Sequence, residues 1–401
     1  MKLLLTLFLS LFTFCNSSYF CTEEKSTDSP LFQNTSHLCP ASSPLASLLQ
    51  KYPTGHPYRN VNIHRDISHF NPFSVGLKLG RADKYVPENT ETAKGQFGKV
   101  FRAYNKDTKK LHALKVIDNK TPTILREIQV LQELKDAPNF LPIKEILVDQ
   151  EKFGKIFTLV FDYFQFQSFR DIWYTYTKTH MKKLLFETFK TLDYIHSKGI
   201  MHRDMKHSNV LWNNKTFEVR MIDFGQGEYY LPGKEISSSV GTLYYKAPEL
   251  FLAYHYYDYS IDIWSAGVML GEMMFKKQYL FQTTREQNFT GMDDWTKRPY
   301  QHRDQLDAIA SVLGTVELLQ YVNKFKDKMS LKYLPYVDDH KKVPWKSFVN
   351  KWNTHLVDAN GLDLLGKLLV FDHTKRITAK EAMNHPFFDE VRNMNFEGIK
   401  G

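Results

Sequence analysis

The sequence predicts an α+β protein in two lobes, a small antiparallel sheet with one main helix followed by a larger, mainly α-helical lobe. Three observations predict it. The chain is 401 residues long, which fits two domains or one large bilobal one at about 100–200 residues per domain. Strand-like runs gather before residue 165, around one strong helical repeat. A long amphipathic run at 181–198 then opens the later part. Hydrophobic residues make up 42% and aromatic residues 14%, enough for a buried core and too much for a wholly disordered chain. The net charge of +9 permits phosphate-bearing or acidic partners without singling one out.

Residues 1–18 read as a secretory leader. Lys2 supplies the charged start, Leu3 to Phe14 an apolar run, and Cys15 to Ser18 a small, polar exit. Twelve residues are too few to span a bilayer, and no window holds the roughly 20 apolar residues that a spanning helix needs. Cysteine occurs only at Cys15, Cys21 and Cys39. Cys21 and Cys39 form one candidate pair if the leader is removed, and free thiols otherwise. Sequons stand at Asn16, Asn34, Asn119, Asn214 and Asn288. Residues 19–57 mix Ser, Thr, Pro and Asn without periodicity and read as a flexible arm.

Val100 to Tyr104 and His112 to Ile117 read as strands joined by the turn Asn105–Thr108. Ala93-Lys94-Gly95-Gln96-Phe97-Gly98 precedes them. Glycine there lets backbone N–H groups approach phosphate oxygens with no Cβ in the way. The helix that follows is capped by Thr121, with Pro122 in its first turn. Ile124, Leu125, Ile128, Leu131 and Leu134 form its inner face, which Glu127 shares, so Glu127 can meet Lys115 of the second strand. Thr158 to Phe161 is a further strand.

In the second lobe, Leu184, Leu185, Phe189, Leu192 and Ile195 turn inward along 181–198, and Gly199 stops the helix. His202-Arg203-Asp204 follows, with Lys206 and Asn209 downstream. Val210 to Trp212 and Phe217 to Ile222 alternate as a hairpin about Asn213-Asn214, and Asp223-Phe224-Gly225 closes it. This order delivers two acidic groups to one cleft mouth. Asp204 can accept a proton from an attacking hydroxyl. Asn209 and Asp223 offer the hard oxygens that suit Mg²⁺, and Lys206 can stabilise a transferred phosphoryl group.

These motifs, with Ala247-Pro248-Glu249, Asp262 and Arg376, resemble a eukaryotic protein kinase across roughly residues 58–388. The resemblance implies the bilobal kinase fold, ATP and Mg²⁺ as cofactors, and protein substrates bearing Ser or Thr. It implies catalytic roles for Asp204, Lys206, Asn209, Asp223, Lys115 and Glu127, with Asn209 and Asp223 holding metal. ATP would lie against Ala93, Gly95, Gly98, Val100, Ala113 and Lys115 on one side. On the other side it would meet Phe161, Asp162, Phe164, Leu211, Ile222 and Asp223. Thr242, Lys246 and Glu249 belong to the activation segment and its substrate contacts. Lys206 and Gly241-Thr242 resemble the serine/threonine pattern. An alternative is a silent pseudokinase that binds nucleotide or serves as a scaffold.

Within that family the chain is most similar to the casein kinase II catalytic (alpha) subunit, through Tyr58 to Arg65, Gly199 to Asp204, Tyr257 to Ser265, Val312 to Thr315 and Glu381 to Phe388. This implies constitutive activity and a regulatory beta subunit as partner. No nucleic-acid partner or membrane span is expected. The leader points to the secretory pathway and the resemblance to nucleus or cytoplasm. The expected layout is leader 1–18, arm 19–57, packing segment 58–84, N-lobe 85–164, C-lobe 165–388 and tail 389–401. Residues 118–126 lack the family's lysine run. Ser239 and Leu243 stand where the family's activation segment has arginines, leaving Lys246. Ala113, Leu211 and Phe224 also depart from that subfamily, which puts its use of GTP in question. Residues 284–299 read as an insertion.

Overall fold

Five strands build the first lobe. The computed structural model describes residues 56–95, 98–117, 121–151, 154–282 and 294–394. These lie in one compact unit, Ser47–Gly401. β1 (Tyr85–Gly95), β2 (Gly98–Asn105), β3 (Leu111–Ile117), β4 (Ile143–Glu151) and β5 (Gly154–Asp162) form an antiparallel sheet in the order β1-β2-β3-β5-β4. Alternation on β2 and β3 sends Ala103 and Leu114 inward to Tyr85, Leu147 and Val160. Lys115 points to the other face, as the two-residue period requires.

β1 and β4 were not legible as strands. β1 carries Pro87 and slips register between Pro87 and Ala93. An edge strand tolerates both features, since proline removes no ladder bond there. α1 (Thr121–Glu133) covers the sheet with Ile124, Leu125, Ile128 and Leu131 buried. Thr121 is the first helical residue; its side chain, and so its capping role, lies outside the described residues.

The second lobe is mainly helical. After the short α2 (Phe169–Ile172) comes α3 (Lys178–Ser197), whose predicted inner residues are all buried. It stops at Gly199, which has φ +74° and a carbonyl that accepts from Asn62 Nδ2 at 2.7 Å. A Cβ there would meet the Asn62 amide at 2.3 Å, so glycine is required twice over. Two strand pairs carry the loops: β6 (Ile200–Met201) with β9 (Glu228–Tyr229), and β7 (Val210–Asn213) with β8 (Glu218–Met221). Phe217 is not in the strand as its alternation suggested. It sits in the turn with φ 58°, because four residues must reverse the chain between Asn213 and Glu218.

The remaining helices are α4 (Pro248–Phe251), α5 (Ser260–Phe275), α6 (Asp294–Leu313), α7 (Thr315–Phe325), α8 (Ala359–Leu368), α9 (Ala379–Met383) and α10 (Asp389–Arg392). Every residue of α5 is buried, as an almost wholly apolar helix demands. The last residues of the 284–299 stretch open α6. Asn214 stays in the β7–β8 turn; the cysteines, the leader and the other four sequons lie outside the described residues. No helix among the described residues is long and apolar enough to cross a membrane.

Residues 58–69 lie against both lobes. Tyr58 Oη donates to Asp193, and Asn62 Nδ2 donates to the Tyr230 carbonyl. Arg65 and His69 both reach Glu133 at the end of α1, at 2.6 and 3.1 Å. Tyr229 Oη donates to the same carboxylate at 2.7 Å.

At the base of α4, Arg376 grips Glu249 with two bonds of 2.9 and 3.2 Å, both side chains fully buried. Removing one member leaves the other charged with nothing to offset it. Arg376→Met should therefore lower stability by about 3–5 kcal/mol in chemical denaturation. A loss below about 1 kcal/mol would show that the pair is not the anchor it looks to be.

Candidate active site

The seam between the lobes is a cleft of about 1370 Å³. From above it receives Gly98, Val100, Ala113 and Lys115, and from below Asp204, Lys206, Asn209, Leu211, Ile222 and Asp223. Phe161, Asp162 and Phe164 line the connection between the lobes. The carboxylates of Asp204 and Asp223 therefore open into one cavity. Ala93 and Gly95 pair with Val100 and Gly98 across the β1–β2 turn. The tip of that turn, Gln96-Phe97, lies outside the described residues. Gly98 has φ +151°, and a Cβ on it would sit 2.2 Å from the Val116 carbonyl.

Lys115 ties the lobes together. Its Nζ donates to Glu127 of α1 at 2.7 Å and to Asp223 beyond β8 at 2.7 Å. Burial works against the Lys115 charge, but the two carboxylates outweigh it and raise its pKa above the ordinary amine value. For Asp223, burial alone would raise the pKa; Lys115 reverses this and holds it below the usual carboxylate range.

The lower wall is a second closed set. Asp204 is 4% exposed. It accepts from Lys206 Nζ at 2.8 Å and from Thr242 Oγ1 at 2.7 Å, while Lys206 also donates to Thr242 at 2.9 Å. Asn209 Nδ2 donates to the Asp204 carbonyl at 2.8 Å. Asn209 and Asp223 both line the cleft, and an amide oxygen and a carboxylate are the hard donors that suit Mg²⁺.

Two non-glycine residues here hold left-handed backbone, Arg203 at φ 66° and Asp223 at φ 64°. Each such residue costs on the order of 1–3 kcal/mol, so the surroundings must impose it. Buried Asp262 does so at Arg203. It accepts from the backbone N–H groups of His202 and Arg203, each at 2.8 Å, and lies 3.0 Å from His196 Nε2. Burial alone would raise the Asp262 pKa, yet these donors keep it low. Sequence reasoning placed Asp262 on a buried helix but missed His196 as its partner; no spacing signal links them.

Two predicted residues stand apart from the cleft. Glu249 is buried in the Arg376 pair, and Lys246 is 5% exposed, its ammonium directed at the Ser238 carbonyl and the Phe251 ring. Lys246 also lines a small pocket shared with Asp204 and Thr242.

A sheet closed over a helical lobe, with an acid-paired lysine and two carboxylates in the seam, defines the phosphotransferase class. The protein kinase domain model matches residues 89–388, about three quarters of the chain, and the chain belongs to that family.

The Lys115 cluster has a defined pH window. A depressed acid contributes stability that is present above the unfolded carboxylate pKa and lost as pH falls through its own. A raised amine contributes stability below about pH 10.4 and loses it as pH climbs past its own value. Glu127 differs: burial outweighs Lys115 and raises its pKa. The stability difference between wild type and Lys115→Met should thus be present near pH 7 and shrink as pH falls through the carboxylate range, from about pH 5 downward, read by denaturant titration. A difference that does not decline at all between about pH 7 and about pH 3 would contradict the pairing.

Proposed function

We propose that this protein is an active serine/threonine kinase that transfers the γ-phosphoryl group of ATP to protein hydroxyls, similar to the casein kinase II alpha subunit. The observation that carries this reading is the pair of hydrogen-bonded sets in one cleft, Lys115–Glu127–Asp223 bridging the lobes and Asp204–Lys206–Thr242 on its lower wall. Val100, Ala113, Leu211 and Ile222 supply apolar walls for a base, and Phe161, Asp162 and Phe164 its edge. Ala93, Gly95 and Gly98 belong to the turn whose backbone would face the phosphates.

In this proposal Lys115 holds the non-transferred phosphates. Asn209 and Asp223 would hold Mg²⁺, which when bound neutralises phosphate charge. Asp204 orients the substrate hydroxyl and takes its proton. The new bond joins that oxygen to the γ-phosphorus as the bond to the bridging oxygen breaks, and ADP leaves. Lys206 balances negative charge as it develops on the transferred group. Preference for Ser and Thr is supported by Lys206 together with Gly241-Thr242, whose hydroxyl sits on the Asp204 carboxylate.

Constitutive activity is supported by residues 58–84 as a packing segment. Arg65, His69 and Tyr229 share Glu133, which ties α1, and so Glu127, to the activation segment with no phosphate required. A regulatory beta subunit remains the proposed partner. The domain layout, with an N-lobe at 85–164 and a C-lobe at 165–388, and export directed by residues 1–18, stand as proposals beside it.

Asp204→Asn should lower transfer of radiolabelled phosphate to Ser/Thr peptides about 10²–10⁴-fold while ATP still binds. Retention of most of the rate would overturn the role of Asp204, and absence of transfer by the wild type would assign the chain to nucleotide binding without transfer. Deleting residues 58–80 should lower activity in the same assay, and a fully active truncation would refute the packing role.

A further inference from the structure

The cleft does not end at the catalytic set. Its lining also takes in the rings of Phe169, Trp173, Tyr174, Tyr244 and Tyr279. Tyr174 is 89% exposed. Tyr244 and Tyr279 stack with centroids 3.9 Å apart, and Phe169 meets Trp173 edge-on at 5.4 Å. Neighbouring residues of an extended chain lie about 3.3–3.4 Å apart along its axis. A polypeptide presenting a hydroxyl to Asp204 would bring its flanking residues within the cleft that these rings line.

The charges of this wall are mostly turned inward. Lys276 Nζ donates to the Trp173 carbonyl at 2.5 Å and lies 3.5 Å from the Tyr176 centroid. Burial pulls its pKa down to about 8. Glu272 is buried, accepts from Tyr245 Oη at 2.8 Å and faces His207 Nε2 at 3.2 Å. Arg170 is exposed at the rim, where a guanidinium can stack on a ring as well as pair with an acid. A wall of part-buried rings led by the exposed Tyr174, with its lysine and glutamate committed internally, favours an apolar, flat side chain over a carboxylate.

We propose that this wall is a subsite for an aromatic side chain flanking the phosphoacceptor, so that the enzyme selects aromatic rather than acidic flanks. The inference rests on the kinase reading above and specifies its substrate class.

The test uses full-length protein, radiolabelled ATP and alanine-based peptides with one central serine. Phe, Trp, Glu, Arg or Ala is placed in turn within about four residues of it. Phe or Trp at one or more positions should raise kcat/KM about tenfold over Ala, mainly through KM. In Tyr174→Ala and in Tyr174→Ala/Tyr279→Ala the Phe-to-Ala ratio should fall toward one. The corresponding Tyr→Phe variants should keep it. Because Tyr174 is so exposed, the single variant does not put folding at risk. Preference for Glu or Arg flanks, or a ratio that survives the double alanine variant, would overturn the subsite alone. Transfer to none of the peptides would overturn it together with the kinase reading.

Discussion

One ammonium organises this molecule. Lys115 stands on a strand of the first lobe and is held by Glu127 of the helix beside it and by Asp223 of the second lobe, each at 2.7 Å. Three partners from three elements can meet only if the sheet, α1 and the β8 loop take one relative placement. Glu127 is the deeply buried member, while Lys115 and Asp223 open onto the cleft, so removing the lysine would strand above all the Glu127 carboxylate, at a cost of several kcal/mol. The interaction is thus a geometric constraint more than a source of net stability, since desolvation cancels much of the Coulomb gain. It fixes how the lobes meet at this point and, on the kinase reading proposed above, where phosphates would sit.

The lower half of the site depends on a different device. Asp262, on a helix with no exposed residue, grips two consecutive backbone N–H groups and so maintains the left-handed turn at Arg203. That turn directs Asp204 into the cleft, where Lys206 and Thr242 bind both its oxygens. Rigid packing under the loop is thereby converted into placement of a single carboxylate, which is how preorganised sites avoid reorganisation during reaction.

Much of this was readable in advance because it is local. The period of two in β8 and the inner face of α1 follow from side-chain alternation. The spacing from His202 to Asn209 marks the loop. Lys115 and Glu127 were paired correctly because strand and helix are neighbours in sequence. What escaped was non-local or irregular. β1 hides behind Pro87 and a slipped register, and His196 meets Asp262 across 66 residues. The aromatic wall draws on residues as far apart as Phe169 and Tyr279, so only the folded chain assembles it.

The central claim is that Lys115, fixed by two acids from different lobes, is the phosphate anchor of the cleft. Calorimetric titration of Mg²⁺-ATP into wild type and Lys115→Met tests it most directly. The account predicts at least a roughly tenfold weaker affinity in the variant, worth about 1.4 kcal/mol, with the fold retained. Equal affinity in the two proteins would contradict it.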